Sequence, residues 1–223
     1  MTISIIVPTF NQSDTLAQTL DSALAQTVPT EVIVVNDGST DLTKQVLMEY
    51  EDRVRVVTQT NRGLPSARNT GIMNVTTDWV VFLDSDDTLE PTYIERVLKV
   101  IEDVPEATVV APSFKTFGLQ ESNVLLMMRP EVNDFQDGNR IGYCAAFKRS
   151  ALIEVGGYNP KMVWGWEDYD LSIELTKRGK IIVTIPEYLW NYRIKQNSMI
   201  TVANQHAEDL KRQLRANHPG FYV

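Results

Sequence analysis

Four short apolar runs recur through the first part of the chain: Ile3–Pro8, Glu31–Val35, Val54–Thr58 and Trp79–Leu83. Each is rich in β-branched side chains and too short for a helix that must bury a face. Runs of this kind read as strands covered on both sides. Between them lie helical patterns. Leu16, Leu20, Ala23 and Leu24 share one helix face, and Leu42–Tyr50 and Pro65–Asn74 follow after the next two strands. Ser13 or Asp14 is expected to cap the first helix and Asp41 the second. Strand–helix alternation with short turns predicts an α/β fold: a mostly parallel sheet with helices on both faces and right-handed crossovers. At 223 residues the chain is long enough for one sizeable core. It shows no repeat, low-complexity segment or linker, so a single domain is expected over 1–223.

Each run ends in a polar cluster: Thr9/Asn11, Asn36/Asp37, Asn61/Arg62 and Asp84/Asp86. Several strands emptying polar groups at one edge point to one shared crevice. The sharpest break is Trp79–Asp87, WVVFLDSDD. Its carboxylates cannot follow a core strand into the core. Asp84 and Asp86 are two apart, so in an extended segment they leave on the same side. Such a pair suits a hard divalent cation, and the cation a diphosphate. The competing reading is a turn and helix cap before Glu90-Pro91, and Asp87 is expected to be such a cap.

The net charge is −8. A chain this acidic is a poor general binder of nucleic acid or of anionic membrane. It needs a local basic groove or a metal to hold an anionic ligand. One cysteine, Cys144, permits no internal disulfide. No stretch reaches the length of a membrane span, and the opening MTISIIVPTF lacks the basic region of a signal peptide. A cytoplasmic location is therefore expected.

The second half is less regular. Helices are expected over Pro91–Asp103, after Ser150, from the Trp164–Asp170 tract to Arg178 with Gly179 as its stop, and over Thr201–Asn217. Strands are expected over Ala107–Phe117, Gly142–Lys148, Ile181–Ile185 and Tyr188–Arg193. Val124–Met128 fits either. His206 and His218 read as surface residues.

Six segments together resemble the inverting family-2 glycosyltransferases of the GT-A fold. They are SIIVPTFNQ (4–12), VNDGSTD (35–41), NRGLPSARNTGI (61–72), FLDSDD (82–87), WGWEDYDL (164–171) and YRIKQNSM (192–199). They fall in family order across nearly the whole chain. The resemblance implies a nucleotide-sugar-binding half over about 1–90 and an acceptor-binding half over about 91–223. It implies transfer of a sugar from a nucleoside-diphosphate donor to an acceptor hydroxyl, in a glycan or glycoconjugate.

In that reading Asp37 meets the nucleobase. A carboxylate can accept the imide N–H of uracil or thymine, which favours a UDP-sugar, although guanine also offers N–H donors. Pro8, Thr9 and Asn11 frame base and ribose. Asn61, Gly63 and Arg68 lie against the nucleotide, with Arg68 answering the diphosphate or Asp37. Asp84, Ser85 and Asp86 form the family's D-x-D, with Asp86 and then Asp84 holding Mn²⁺ or Mg²⁺. Asp168 is the general base and Glu167 its close second. Trp164 and Trp166 face the acceptor sugar. Arg193 and Lys195 attend the phosphates. One departure stands out: many members carry histidine where this chain has Lys195, and a protonated lysine is no metal ligand.

Two rival readings differ in class. A sugar-phosphate nucleotidyltransferase calls for a glycine-rich basic loop after the first strand, and Pro8-Thr9-Phe10-Asn11 offers neither glycine nor lysine. A catalytically silent binding subunit does not need the intact Asp84/Asp86 and Glu167/Asp168 pairs. The charged C-terminal helix can also touch a membrane or a partner.

Overall fold

The computed structural model describes residues 1–196 and 198–222; Asn197, within the last of the six segments, lies outside them. The first four strands are β1 (Ile3–Thr9), β2 (Glu31–Asn36), β3 (Arg55–Thr58) and β4 (Trp79–Phe82). They run parallel in the order β3-β2-β1-β4. β1 and β4 are buried along their whole length, as their uniform apolarity requires, whereas β3 is a largely exposed edge. The helices between them are α1 (Leu16–Leu24), α2 (Thr43–Met48) and α3 (Leu64–Asn74). α3 packs on β1 and β2. Gly71 permits this, since a Cβ there would sit 2.4 Å from the Ile6 side chain.

After β4 come β5 (Thr88–Leu89), α4 (Tyr93–Asp103), β6 (Ala107–Gly118), β7 (Ser122–Val124), a 3₁₀ turn over Val132–Gln136, and β8 (Ala146–Lys148). The remainder is α5 (Arg149–Val155), α6 (Glu167–Lys177), β9 (Ile181–Ile194), α7 (Met199–Gln205) and α8 (Ala207–Asn217). The sheet continues from β4 through β8, β6 and β9 to β5, with β7 on β6. β8 is antiparallel to both β4 and β6, while β6 and β9 are parallel. The fold is thus α/β with a mostly parallel sheet.

Several expectations are corrected. Neither Ser13 nor Asp14 caps α1. The helix starts later, and the Gln12 carbonyl accepts the N–H groups of Thr15 and Leu16. Asp41 does take the Thr43 N–H, at 3.0 Å, and also that of Ser13, at 3.1 Å. Burial pushes its carboxyl up, but these bonds outweigh it and hold it at about 2. The two strands expected over 181–193 are one, β9. Its pairing with β6 jumps from Ile185 to Tyr188, where Pro186 has no N–H to give the ladder. The Gly142–Lys148 strand is shorter, confined to β8. The last helix is two, broken at His206.

Candidate active site

β1 and β4 are neighbours in the sheet but not in the chain, so the strand order reverses between them. Ligands bind outside the carboxyl ends of strands at such a switch. A cavity of about 630 Å³ opens there. The strand ends give it Pro8, Thr9, Asp37, Asp84, Ser85 and Asp86. Asn61 and Gly63 line it before α3, Arg193 near the end of β9 and Lys195 just after it, and Trp164 from the loop before α6. A second cavity of about 590 Å³ holds Arg68, Trp166, Glu167, Asp168 and Asn139. Asp84 and Tyr192 line both, so the two form one continuous crevice.

Asp37 is buried at the end of β2. Its Oδ1 accepts Gln59 Nε2 at 2.7 Å and the Arg62 N–H at 2.9 Å, and its Oδ2 accepts the Gly63 N–H at 2.8 Å. Gly38 makes this closure feasible, with φ +76° and a would-be Cβ 2.8 Å from the Asn61 nitrogen. Asn11 plays a different part from the one expected. Its Oδ1 accepts the N–H groups of Thr40 at 2.8 Å and Asp41 at 3.3 Å, so it ties two loops together and does not line the cavity. Gln12 lines it instead.

Arg68 is the largest correction. It touches neither Asp37 nor the first cavity. Only 1% of its side chain is exposed, and its guanidinium bridges Asp84 at 2.8 Å and Glu167 at 2.5 Å. The rings of Tyr143 and Tyr158 stand 5.1 Å away on either contact. A fully sequestered cation is tolerable only when paired in this way. Arg68 therefore fixes the D-x-D end of β4 to the first turn of α6. Burial pushes the Asp84 carboxyl up to about 6; Arg68 opposes this and the Asp86 charge adds to it.

Asp87 caps no helix, since β5 follows it. It is fully buried, accepts the Tyr143 hydroxyl, and accepts the Arg193 N–H at 2.7 Å. It pins β9 beneath the acidic loop. Burial, then the Asp86 charge, drive its carboxyl well above the ordinary range.

Glu167 and Asp168 open α6, where acidic groups complement the helix dipole. Trp166 precedes them with φ +61°. Asp168 Oδ2 accepts Asn139 Nδ2 at 2.9 Å, and Oδ1 accepts the Tyr169 N–H at 2.9 Å. Burial first, and the Glu167 charge next, raise the Asp168 carboxyl to about 7. Two residues further on, Asp170 Oδ1 accepts Asn217 Nδ2 at 2.8 Å and meets His218 Nε2 at 3.0 Å. His218 is thus buried, contrary to the surface reading, and anchors α8 to α6. Trp166 lines the second cavity. Trp164 lines the first, and its ring stacks on His206 at 4.3 Å.

Asn139 and Tyr143 escaped the sequence reading. Asn139 sits in an Asp-Gly-Asn stretch whose only local signal is a turn. Tyr143 lies in an apolar run that reads as core.

The acidic pair expected to hold Mn²⁺ or Mg²⁺ is already matched by cations of the chain. Lys195 Nζ lies 2.5 Å from Asp86 Oδ2, and Arg68 holds Asp84. Among the described residues, no group of three or more His, Cys, Asp or Glu is disposed to hold a metal ion. The residues as placed do not fit a divalent cation.

The glycosyl transferase family 2 model matches residues 4–156. The chain belongs to that family. An uncharacterized glycosyltransferase of Nostoc sp. is 34% identical across 100% of this chain and 74% of its own length. Glycosyltransferase GlyA of Streptococcus pneumoniae is 37% identical over 53% of this chain, which spans only 18% of that protein. The S. aureus TarS 1-349 structure in complex with UDP-GlcNAc superposes with a TM-score of 0.80 at 18% identity, covering 97% of this chain and 66% of that one. The fold is thus that of GT-A glycosyltransferases. The family match ends before α6, so Glu167 and Asp168 stand on geometry. No helix among the described residues is long and apolar enough to cross a membrane.

Proposed function

We propose that this family-2 glycosyltransferase moves a sugar from a nucleoside-diphosphate donor, a UDP-sugar by preference, to an acceptor hydroxyl with inversion at the anomeric carbon. The observation that carries this is the bridge Asp84–Arg68–Glu167, which joins a strand-end cavity suited to a nucleotide with a second cavity holding a carboxylate of raised pKa. The donor lies in the first cavity and the acceptor in the second. Asp168 accepts the acceptor hydroxyl proton as its oxygen bonds to the anomeric carbon. The bond from that carbon to the diphosphate oxygen breaks, and the nucleoside diphosphate leaves with the electron pair. Asn139 orients Asp168, and Arg68 pairs with Glu167 beside it.

The donor preference rests on Asp37, whose carboxylate lines the first cavity and accepts N–H groups already. The UDP-GlcNAc held by the TarS structure accords with it. No step is routed through a metal. Thermal shift against UDP, dTDP, GDP and CDP tests the preference, because a ligand of the folded state alone raises the melting temperature. UDP or dTDP should give the largest rise. A clear preference for CDP would sink the assignment of Asp37.

A further inference from the structure

The charges around the first cavity do not sum to a site for an anion. Three carboxylates, Asp37, Asp84 and Asp86, line it, and among its described lining residues only Arg193 and Lys195 carry positive charge. Three of these five groups already have partners within the fold. Asp37 is held by Gln59 and two backbone N–H groups. Asp84 is held by Arg68 from behind. Arg193 gives Nε to the Asp86 carbonyl at 2.7 Å and Nη2 to Gln18 Oε1 at 2.6 Å, and its guanidinium lies 4.3 Å over the Phe117 ring. What is left is Lys195 and the Asp86 carboxylate. They face each other at 2.5 Å, with Gln12 Oε1 at 3.4 Å as the ammonium's other partner. The pair is half-buried and open to the cavity.

Resting on the donor reading above, we infer that Lys195 supplies the positive charge that meets the donor diphosphate, so that nucleotide binding requires no divalent cation. A lysine ammonium has three donors. One can stay on Asp86 while the others turn to phosphate oxygens. Asp86 then acts as a positioning residue that aims the ammonium. In the reaction described above, the negative charge that collects on the leaving diphosphate falls beside this ammonium. A metal on Asp86 would have to displace Lys195 or sit against it, and like charges at that range repel strongly.

Calorimetric titration with UDP, run in EDTA and in Mn²⁺, tests this on the parent, Lys195→Ala, Lys195→Arg and Lys195→His chains. Circular dichroism first establishes that each is folded. The parent should bind UDP equally well in both buffers, and Lys195→Arg should behave like it. Lys195→Ala in EDTA should bind more weakly by roughly tenfold to a hundredfold, the worth of a charge-assisted hydrogen bond. Lys195→His, which removes the fixed charge and provides a third potential ligand beside Asp84 and Asp86, should bind better in Mn²⁺ than in EDTA. A parent chain that loses UDP in EDTA and regains it in Mn²⁺ overturns the inference while leaving the donor reading intact. So does Lys195→Ala that binds like the parent in EDTA. A parent chain that binds no UDP in either buffer overturns the donor reading and the inference with it.

Discussion

A carboxylate that takes up a proton near neutrality belongs where water stabilises its charge poorly, and Asp168 occupies such a place beside Glu167. With its carboxyl raised to about 7, the basic form is lost as pH falls through that value. Plotted against pH, kcat/KM for nucleotide release should rise through about 7 and then level off. The same shift has a stability sign. The carboxyl titrates near 3.8 when unperturbed and near 7 in the fold, so the folded chain holds the proton more tightly. The ionised group costs stability, and that cost is absent below the lower value and complete above the higher one. Asp168→Asn should therefore raise Tm at about pH 8 and leave it nearly unchanged at about pH 4. A lower Tm at the higher pH would count against the burial argument. Arg68 supports a second prediction. Arg68→Met leaves Asp84 and Glu167 without their buried cation and should cost about 3–5 kcal/mol in urea unfolding. Arg68→Lys should not restore it, because one ammonium does not reproduce a fork that reaches two carboxylates.

Among the elements, α6 carries the proposed base, and it is held from three directions. Arg68 grips Glu167 from α3, Asn139 grips Asp168 from the loop before β8, and Asn217 with His218 grips Asp170 from the end of α8. Asp170→Ala takes a partner from buried His218 and half-buried Asn217 at once. It should destabilise the chain by about 1–3 kcal/mol, read by urea unfolding, without weakening UDP binding. Unchanged stability would mean that the α8 anchor is idle. The start and stop of α6 were legible in the sequence, since Glu167-Asp168 mark its first turn and Gly179 its end. There the Gly179 and Lys180 N–H groups close on the Thr176 and Leu175 carbonyls. Its holders were not legible. Asn139 and His218 come from segments far along the chain, and nothing local in either announces a partner on α6.

For the molecule as a whole, the half that repeats a strand and a helix is the half a sequence can disclose. Uniform apolar runs place β1, β2 and β4 in the middle of the sheet, and a parallel sheet forces their polar ends onto one edge. That brought Thr9, Asp37, Asn61 and Asp84 to one cavity without any fold in hand. Past β5 the strands pair antiparallel or over long distances, so hydrophobic period alone did not fix their lengths, as β8 and β9 show. Charge pairing was harder still. Arg68 looked like a ligand for phosphate, and became the buried strut between the two cavities. The central claim is that these two cavities act together in glycosyl transfer, with Asp168 as the base. The rate of nucleotide release from a UDP-sugar by Asp168→Asn, against the parent, tests it most directly. General-base catalysis contributes about 10²–10⁴-fold, so release should fall by that order while UDP affinity stays the same. A variant that releases nucleotide as fast as the parent would contradict the account.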